Sequence, residues 1–360
     1  MDLWQIIQEP WAMRALLAST MVGVTCGILG AFIVLRNMSL IGDALSHAIL
    51  PGVFVAFIIF GYSTIGFFFG TVIAGLLFAL AMTWIQQNTK TKNDAVIGIV
   101  FTAMFSIGVI GISAISKTGV HLDLKDFLFG NVLGVADQDL LMTGLVMVMV
   151  VLSIVVFYRY LFASTFQPTI ASTMGIPVKL MHYYLMLLLS FSVVAAMQTV
   201  GVILVVAMLI TPASTALLLA NRLPKVLVLS GIIGFFSSLS GLALSVWYEM
   251  PPGPSIAVTA TGIYLLAAFF SPDQGLMAKW LRRRQQERKI KSEDILKEVF
   301  KISLGNPVAL KTLQSKIEIT SQQLNQFLNS LVQHKLLTPQ GNETFQLTET
   351  GKEQANNLVR

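Results

Sequence analysis

A succession of apolar runs, each about as long as a membrane is thick, dominates this chain. The runs lie near residues 14–35, 39–60, 64–86, 95–115, 139–158, 181–198, 199–220, 226–247 and 255–271. A helix needs about 20 apolar residues to cross a bilayer. Only 12% of the 360 residues are charged, whereas soluble domains carry about 25%. The runs predict an all-α polytopic membrane protein of about eight to ten spans. The count has this range because 14–60 and 181–220 could each hide a broken or re-entrant helix.

The placement of basic residues predicts how the spans are oriented. Lys and Arg residues mark alternate connections, and residues 279–291 supply the entire net charge of +6. Basic connections face the cytoplasm in membrane proteins. We therefore expect a multi-pass membrane protein with a cytoplasmic C-terminus. The basic segment is best explained by contact with anionic membrane lipid.

The chain changes character after its last apolar run. We expect a transmembrane domain over 1–278, a basic cytoplasmic linker over 279–292 and a small cytoplasmic domain over 293–360. Three short amphipathic repeats followed by two strand-like segments predict a winged-helix-like α+β domain there. The candidate recognition helix, residues 321–334, contains no Lys or Arg. DNA readers carry basic residues on that helix, so a regulatory or protein-contact role is favoured and nucleic acid is an unlikely partner.

Asp43 and His47 lie inside the second apolar run, four residues apart. This spacing places both side chains on one face of a helix. An acid and an imidazole at membrane depth should face a cavity, a partner or an ion path. Both are good ligands for Mn, Fe or Zn and poorer ligands for Mg or Ca. The pair therefore predicts a path for a divalent transition metal; the plainer alternative is a helix cap beside a core histidine.

A second feature is the long cytoplasmic connection over residues 158–177. Residues 168–178 fit a short helix on the membrane surface that ends at Gly175, as helices commonly end at glycine. A plain amphipathic linker fits these residues equally well.

The remaining polar residues of the membrane part give weaker signals. His121, Asp123 and Asp126 could form an outer relay for the ion, although a solvated loop is the favoured interpretation. His182 begins a span and suits an interfacial position better than a ligand role. Glu249 should cap a helix or face a protein partner outside the membrane. We expect the prolines in or beside apolar runs to kink or interrupt helices: Pro51, Pro212 and Pro254.

No phosphate-binding G-x-x-x-x-G-K-[ST] run occurs in the sequence. Nothing in the chain can then cradle nucleotide phosphates in that way. We expect no enzyme activity from the chain itself and no permanently bound cofactor.

Several segments together resemble the ABC-3 family, the permease subunits of manganese, zinc and iron ABC importers. The first motif, residues 35–52 around Asp43 and His47, is highly specific, and the resemblance covers roughly 12–272. The other matching segments are 127–133, 171–175, 199–213 and 252–254.

The resemblance implies a type II, vitamin-B12-importer-like bundle that dimerises around a central path lined by Asp43 and His47. The helix near 168–178, marked by Pro168, Ala171 and Gly175, would be the coupling helix that docks into the ATPase. The implied partners are an ABC ATPase, an extracellular or periplasmic metal-binding protein and a second permease subunit, identical or paralogous. The implied location is the bacterial cytoplasmic (inner) membrane.

Two features depart from the family pattern. Gln167 replaces the usual Asp before Pro168, which puts a salt bridge at this end of the coupling helix in doubt. The basic C-terminal extension is also unusual. Two other functions stay open: a secondary metal transporter that needs no ATPase, and a membrane-anchored metal-responsive regulator that uses the C-terminal domain. The residues do not distinguish Mn from Zn or Fe.

Overall fold

The computed structural model describes residues 9–61, 63–116, 132–272, 275–303, 307–314, 321–341 and 344–359. Across these ranges, nine helical segments are long and apolar enough to cross a membrane, and one of them, Ile41–Phe60, consists of two shorter helices. The prediction of an all-α polytopic membrane protein is confirmed. Two compact units divide the chain, residues 1–275 and 276–360.

The first unit is built from twelve helices within the described residues. They are α1 (Pro10–Leu35), α2 (Ile41–Ala48), α3 (Leu50–Phe60), α4 (Thr64–Asn88), α5 (Asn93–Ser116), α6 (Asp137–Val156), α7 (Tyr158–Phe166), α8 (Pro168–Thr173), α9 (Val178–Val200), α10 (Val202–Leu219), α11 (Leu223–Tyr248) and α12 (Pro252–Phe270). A single 3₁₀ turn, Val132–Gly134, precedes α6.

Helix α1 is the centre of this unit, packed against α6, α9, α10 and α11. Glycines on α1 allow the neighbouring helices to approach it closely. Such close packing holds helices together in lipid, where no hydrophobic force draws them to each other. A Cβ atom on Gly23 would lie 2.6 Å from the carbonyl oxygen of Gly234, and one on Gly30 would overlap the carbonyl oxygen of Leu209. The Ser238 hydroxyl also donates a buried 2.9 Å hydrogen bond to the carbonyl oxygen of Ser19.

The expected helix interruptions occur at some prolines and not at others. The second span is broken at Ile49, between α2 and α3, with Pro51 in the first turn of α3. Pro212 lies inside α10 without ending it. Neighbouring helices can compensate for the hydrogen bond that such a proline removes, and Pro212 is buried among them. Residues 181–220 form two helices that turn at Gly201, whose φ is +81°.

The second unit begins with the long helix α13 (Leu276–Ser303), which includes the basic segment expected as a linker. It continues through β1 (Val308–Ala309), α14 (Leu310–Gln314), α15 (Ser321–Gln333), β2 (Leu337–Pro339), β3 (Thr344–Leu347) and α16 (Glu349–Val359). The strands form an antiparallel sheet in the order β1-β3-β2.

A separate apolar core holds this unit together. Leu296 and Val299 of α13 pack with Leu324 and Leu328 of α15 and with Leu347 of β3. Burying such side chains is the main force that stabilises a small domain. The three helices and the two strands that follow them occur in the predicted order, whereas β1 and α16 were not predicted. The winged-helix assignment stays a prediction.

Candidate metal path and cytoplasmic docking segment

Asp43 and His47 lie on α2, a helix of only eight residues. The chain enters it from α1 through a turn in which Asn37 has a φ of +56°, a left-handed conformation that Asn tolerates better than most residues. Within α2, the hydroxyl of Ser46 donates a 2.8 Å hydrogen bond to the carbonyl oxygen of Gly42. The buried side of α2, with Ile41 and Leu45, packs into the core and leaves Asp43 and His47 on the other side.

The two predicted ligands are neighbours in space. Nε2 of His47 lies 3.8 Å from Oδ1 of Asp43, and the side chains are 25% and 54% exposed. An exposed carboxylate inside a span is costly when it faces lipid. The arrangement therefore calls for water, an ion or another protein surface over Asp43.

Aromatic rings of α5 cover the inner side of His47. Its ring centroid lies 6.0 Å from that of Phe101 and 5.8 Å from that of Phe105, which presents a T-shaped contact. Such contacts favour one ring orientation. Phe101 and Phe105 were not singled out from the sequence, where they look like ordinary residues of an apolar span; only their four-residue spacing could have placed them on one face.

Asp43 and His47 offer two metal ligands, and the described residues around them add no third His, Cys, Asp or Glu. Within the described ranges, no group of three or more His, Cys, Asp or Glu side chains could hold a metal. A carboxylate and an imidazole suit a divalent transition metal, and two ligands leave most coordination positions open for water or for a second chain. His121, Asp123 and Asp126, the proposed outer relay, lie outside the described residues.

The connection between α6 and α9 forms two short helices, α7 and α8. Pro168 occupies the first turn of α8, where its missing N–H needs no partner. The turn ends at Gly175, whose φ of +81° is in the left-handed region, and the Ile176 N–H donates to the Ala171 carbonyl. Gln167 forms no side-chain cap at the start of α8.

The exposed residues of this segment are not the ones by which it was recognised in the sequence. Ala171 is only 2% exposed and packs inward, so it holds the helix in place and offers no contact surface. Phe166 at the end of α7, Ile170 on α8 and Met174 just after α8 are all exposed, Met174 at 74%. Apolar residues exposed close together typically mark a protein contact.

Arg36 connects this segment to the turn that precedes α2. Its guanidinium donates to the hydroxyls of Ser164 at 2.9 Å and Thr165 at 3.1 Å, at the end of α7. Burial lowers the pKa of Arg36 to about 10, so the side chain is still a cation at neutral pH. His182 contacts the same guanidinium and lies at the start of α9, as the sequence suggested.

Glu249 occupies the C-terminal cap of α11 with a left-handed φ of +53°. Its N–H donates to the carbonyl of Ser245, and its side chain is exposed. The capping position agrees with one of the two roles considered for this residue.

Comparisons with known proteins identify the first unit. The model of the ABC 3 transport family matches residues 8–271. The manganese transport system membrane protein MntC of Halalkalibacterium halodurans is 48% identical over 284 residues, which are 79% of this chain and 95% of that protein. MntC of Bacillus subtilis is 34% identical over 358 residues, 98% of this chain and 82% of the relative, so that match includes the second unit.

A solved structure agrees with these matches. PsaBC from Streptococcus pneumoniae, in complex with Fab, includes a chain that is 40% identical with a TM-score of 0.67, over 76% of this chain and 96% of that one. Together with the nine apolar helices, the family match shows a multi-pass membrane protein. The chain belongs to the ABC 3 transport family.

Proposed function

We propose that this chain is the permease subunit of an ABC importer for manganese. The observation that carries the proposal is the Asp43–His47 pair, which presents a half-exposed carboxylate and an imidazole on one face of a membrane span. A transport site must bind a dehydrated ion and also release it. Two ligands from one chain, completed by water or by a second chain, suit both needs.

A second permease subunit, identical or paralogous, would cover Asp43 and close the path. The same charge that is costly against lipid becomes favourable when it faces an ion or water between two chains. A metal-binding protein would deliver the ion from outside, and the C-terminus would face the cytoplasm.

The choice of manganese rests on the relatives. The proteins that match at 48% and 34% identity are named manganese transport proteins. Carboxylate and imidazole ligands accept Mn²⁺, and they also accept Zn²⁺ and Fe²⁺. Selection of manganese therefore depends on the ligands that complete the site.

The energy would come from a separate ABC ATPase that docks on α8. Its contact surface would be the exposed apolar patch of Phe166, Ile170 and Met174. The chain would itself catalyse no reaction, and its metal would be cargo and not a resident cofactor. The second unit would have a regulatory or protein-contact role.

The test is manganese uptake by cells that lack their own importers and express this chain with its ATPase and binding protein. Asp43→Ala and His47→Ala should each abolish uptake while the variants still assemble with the ATPase. Ser46→Ala, on the buried side of the same helix, serves as the matched control and should retain uptake. Undiminished uptake in both site variants would remove the proposed path, and uptake without the ATPase would establish a secondary transporter.

A further inference from the structure

Arg36 lies between the two parts of the proposed importer that must move together. It is the first residue after α1 and precedes Asp43 by seven positions. On the other side it holds Thr165, three positions before Pro168 at the start of α8. One guanidinium therefore connects the segment that leads into the metal path with the segment that leads into the docking helix.

The contacts of Arg36 use all three nitrogens of its guanidinium. Nε donates to Oγ1 of Thr165 at 3.1 Å, Nη2 donates to Oγ of Ser164 at 2.9 Å, and Nη1 lies 3.2 Å from Nδ1 of His182. Arginine can only donate, so Nδ1 of His182 accepts and carries no proton. The planar fork of an arginine fixes the geometry of such contacts better than a lysine does.

The cluster has no compensating negative charge in the described part of the chain. No carboxylate there forms an ion pair with Arg36, while Ser164 is only 6% exposed. In addition, Nε2 of His182 is buried without a hydrogen-bond partner. Burying a cation among neutral groups is costly, so such a cluster is a poor way to gain stability. Polar clusters that cost stability in this way are expected where function requires them.

The cluster also borders open space. A surface cavity of about 400 Å³ is lined by Arg36, Asn37, Pro168, Lys179 and His182, among others. The residues on both sides of the contacts can therefore shift without first displacing a packed core.

We propose that Arg36 is a positioning residue that transmits movement of α8 to α2, and thereby couples ATP hydrolysis to the metal path. The inference rests on the proposed importer function. Arg36 touches neither the metal nor ATP; it acts through Ser164 and Thr165 on one side and through the turn at Asn37 on the other. When α8 moves with the ATPase, the guanidinium carries that movement to the helix that bears Asp43 and His47.

The experiment uses the complete importer, with its ATPase and binding protein, in proteoliposomes. Three quantities are measured: Mn²⁺ bound by the permease, Mn²⁺ transported, and ATP hydrolysed. For Arg36→Gln we expect unchanged Mn²⁺ binding and about tenfold more ATP hydrolysed per ion transported, since hydrogen bonds of a charged group are lost. Arg36→Lys should recover part of the coupling, because the charge remains without the fork.

Further variants separate coupling from simple damage to the fold. Arg222→Gln, at an exposed arginine that precedes α11, is the matched control and should couple normally. Thr165→Val should raise the ATP-to-metal ratio alone and add little to Arg36→Gln, since residues that act through one contact are not additive.

Normal coupling in Arg36→Gln would overturn the inference. So would an equal loss of Mn²⁺ binding and transport, because that result would make Arg36 part of the fold or of the metal site. Absence of ATP-dependent Mn²⁺ uptake in the unaltered importer would instead overturn the proposed function, and the coupling role with it.

Discussion

Nε2 of His47 lies 3.8 Å from Oδ1 of Asp43, one helical turn away on α2. The pair can approach an ion from one side only, since both side chains belong to the same face of one short helix. The rings of Phe101 and Phe105 limit the imidazole on its inner side. The opposite side of such an ion would be open to other ligands, so the ion could be passed on to them.

The aromatic contact with His47 should matter for transport. We expect Phe105→Leu to lower the apparent affinity for Mn²⁺ about two- to tenfold, because an aromatic contact contributes about 0.5–1.5 kcal/mol and this one orients the imidazole. The measurement is the concentration dependence of Mn²⁺ uptake. Phe269→Leu, an exposed phenylalanine on α12, should leave uptake unchanged. Equal affinities for Phe105→Leu and the unaltered chain would contradict the proposed role of the ring.

The exposed apolar patch of Phe166, Ile170 and Met174 gives a second prediction. Met174→Asp should weaken co-purification of the ATPase at least about tenfold, because a charge would enter an apolar interface core. Met250→Asp introduces the same charge at another exposed methionine, next to Pro251, and is the matched control. Loss of the ATPase in both variants, or in neither, would count against α8 as the docking site.

The packing of α1 gives a prediction for stability. Gly30→Ala should destabilise the protein by about 1–3 kcal/mol, because its Cβ would overlap the Leu209 carbonyl and overpacking has costs of this size. A melting curve in detergent measures the effect. At Gly98 a Cβ would meet nothing within 4 Å, so Gly98→Ala should be neutral. Similar melting temperatures for the two variants would show that α1 and α10 can separate slightly without loss.

Removal of the second unit gives a fourth prediction. The relative from Halalkalibacterium halodurans aligns over 95% of its length with only 79% of this chain. We therefore expect a chain that ends at Gly275 to retain Mn²⁺ uptake at about the level of the full chain, with changes confined to its regulation. Uptake assays in cells replete with or starved of manganese would reveal them. Complete loss of uptake despite normal membrane insertion would show that α13 is part of the transport machinery.

Much of the membrane unit could be predicted from the sequence. Length and polarity identify a span because the bilayer imposes both, and all nine expected runs correspond to helices. The proximity of Asp43 and His47 could be predicted from their helical spacing, and two ionisable groups are rare at membrane depth. The effect of Pro212 was not predictable, since it depends on what surrounds the proline.

The parts that could not be predicted depend on contacts between distant segments. Arg36 reads as one more cytoplasmic cation, and only the fold brings it to Ser164, which is 128 residues away. Phe101 and Phe105 are likewise inconspicuous among apolar residues until α5 packs against α2. Ala171 illustrates the same limit: neither periodicity nor composition states which side of a six-residue helix is buried.

The short length of α2 has a mechanical consequence. An ordinary span of about 20 residues can tilt only as a rod, so a ligand near its middle moves with both ends. Here the turn at Asn37 and the break at Ile49 isolate eight residues. The directions of Asp43 and His47 are therefore set by the packing of this piece, with Ile41 and Leu45 in the core, and by the turn that leads into it, and not by the tilt of a 20-residue rod.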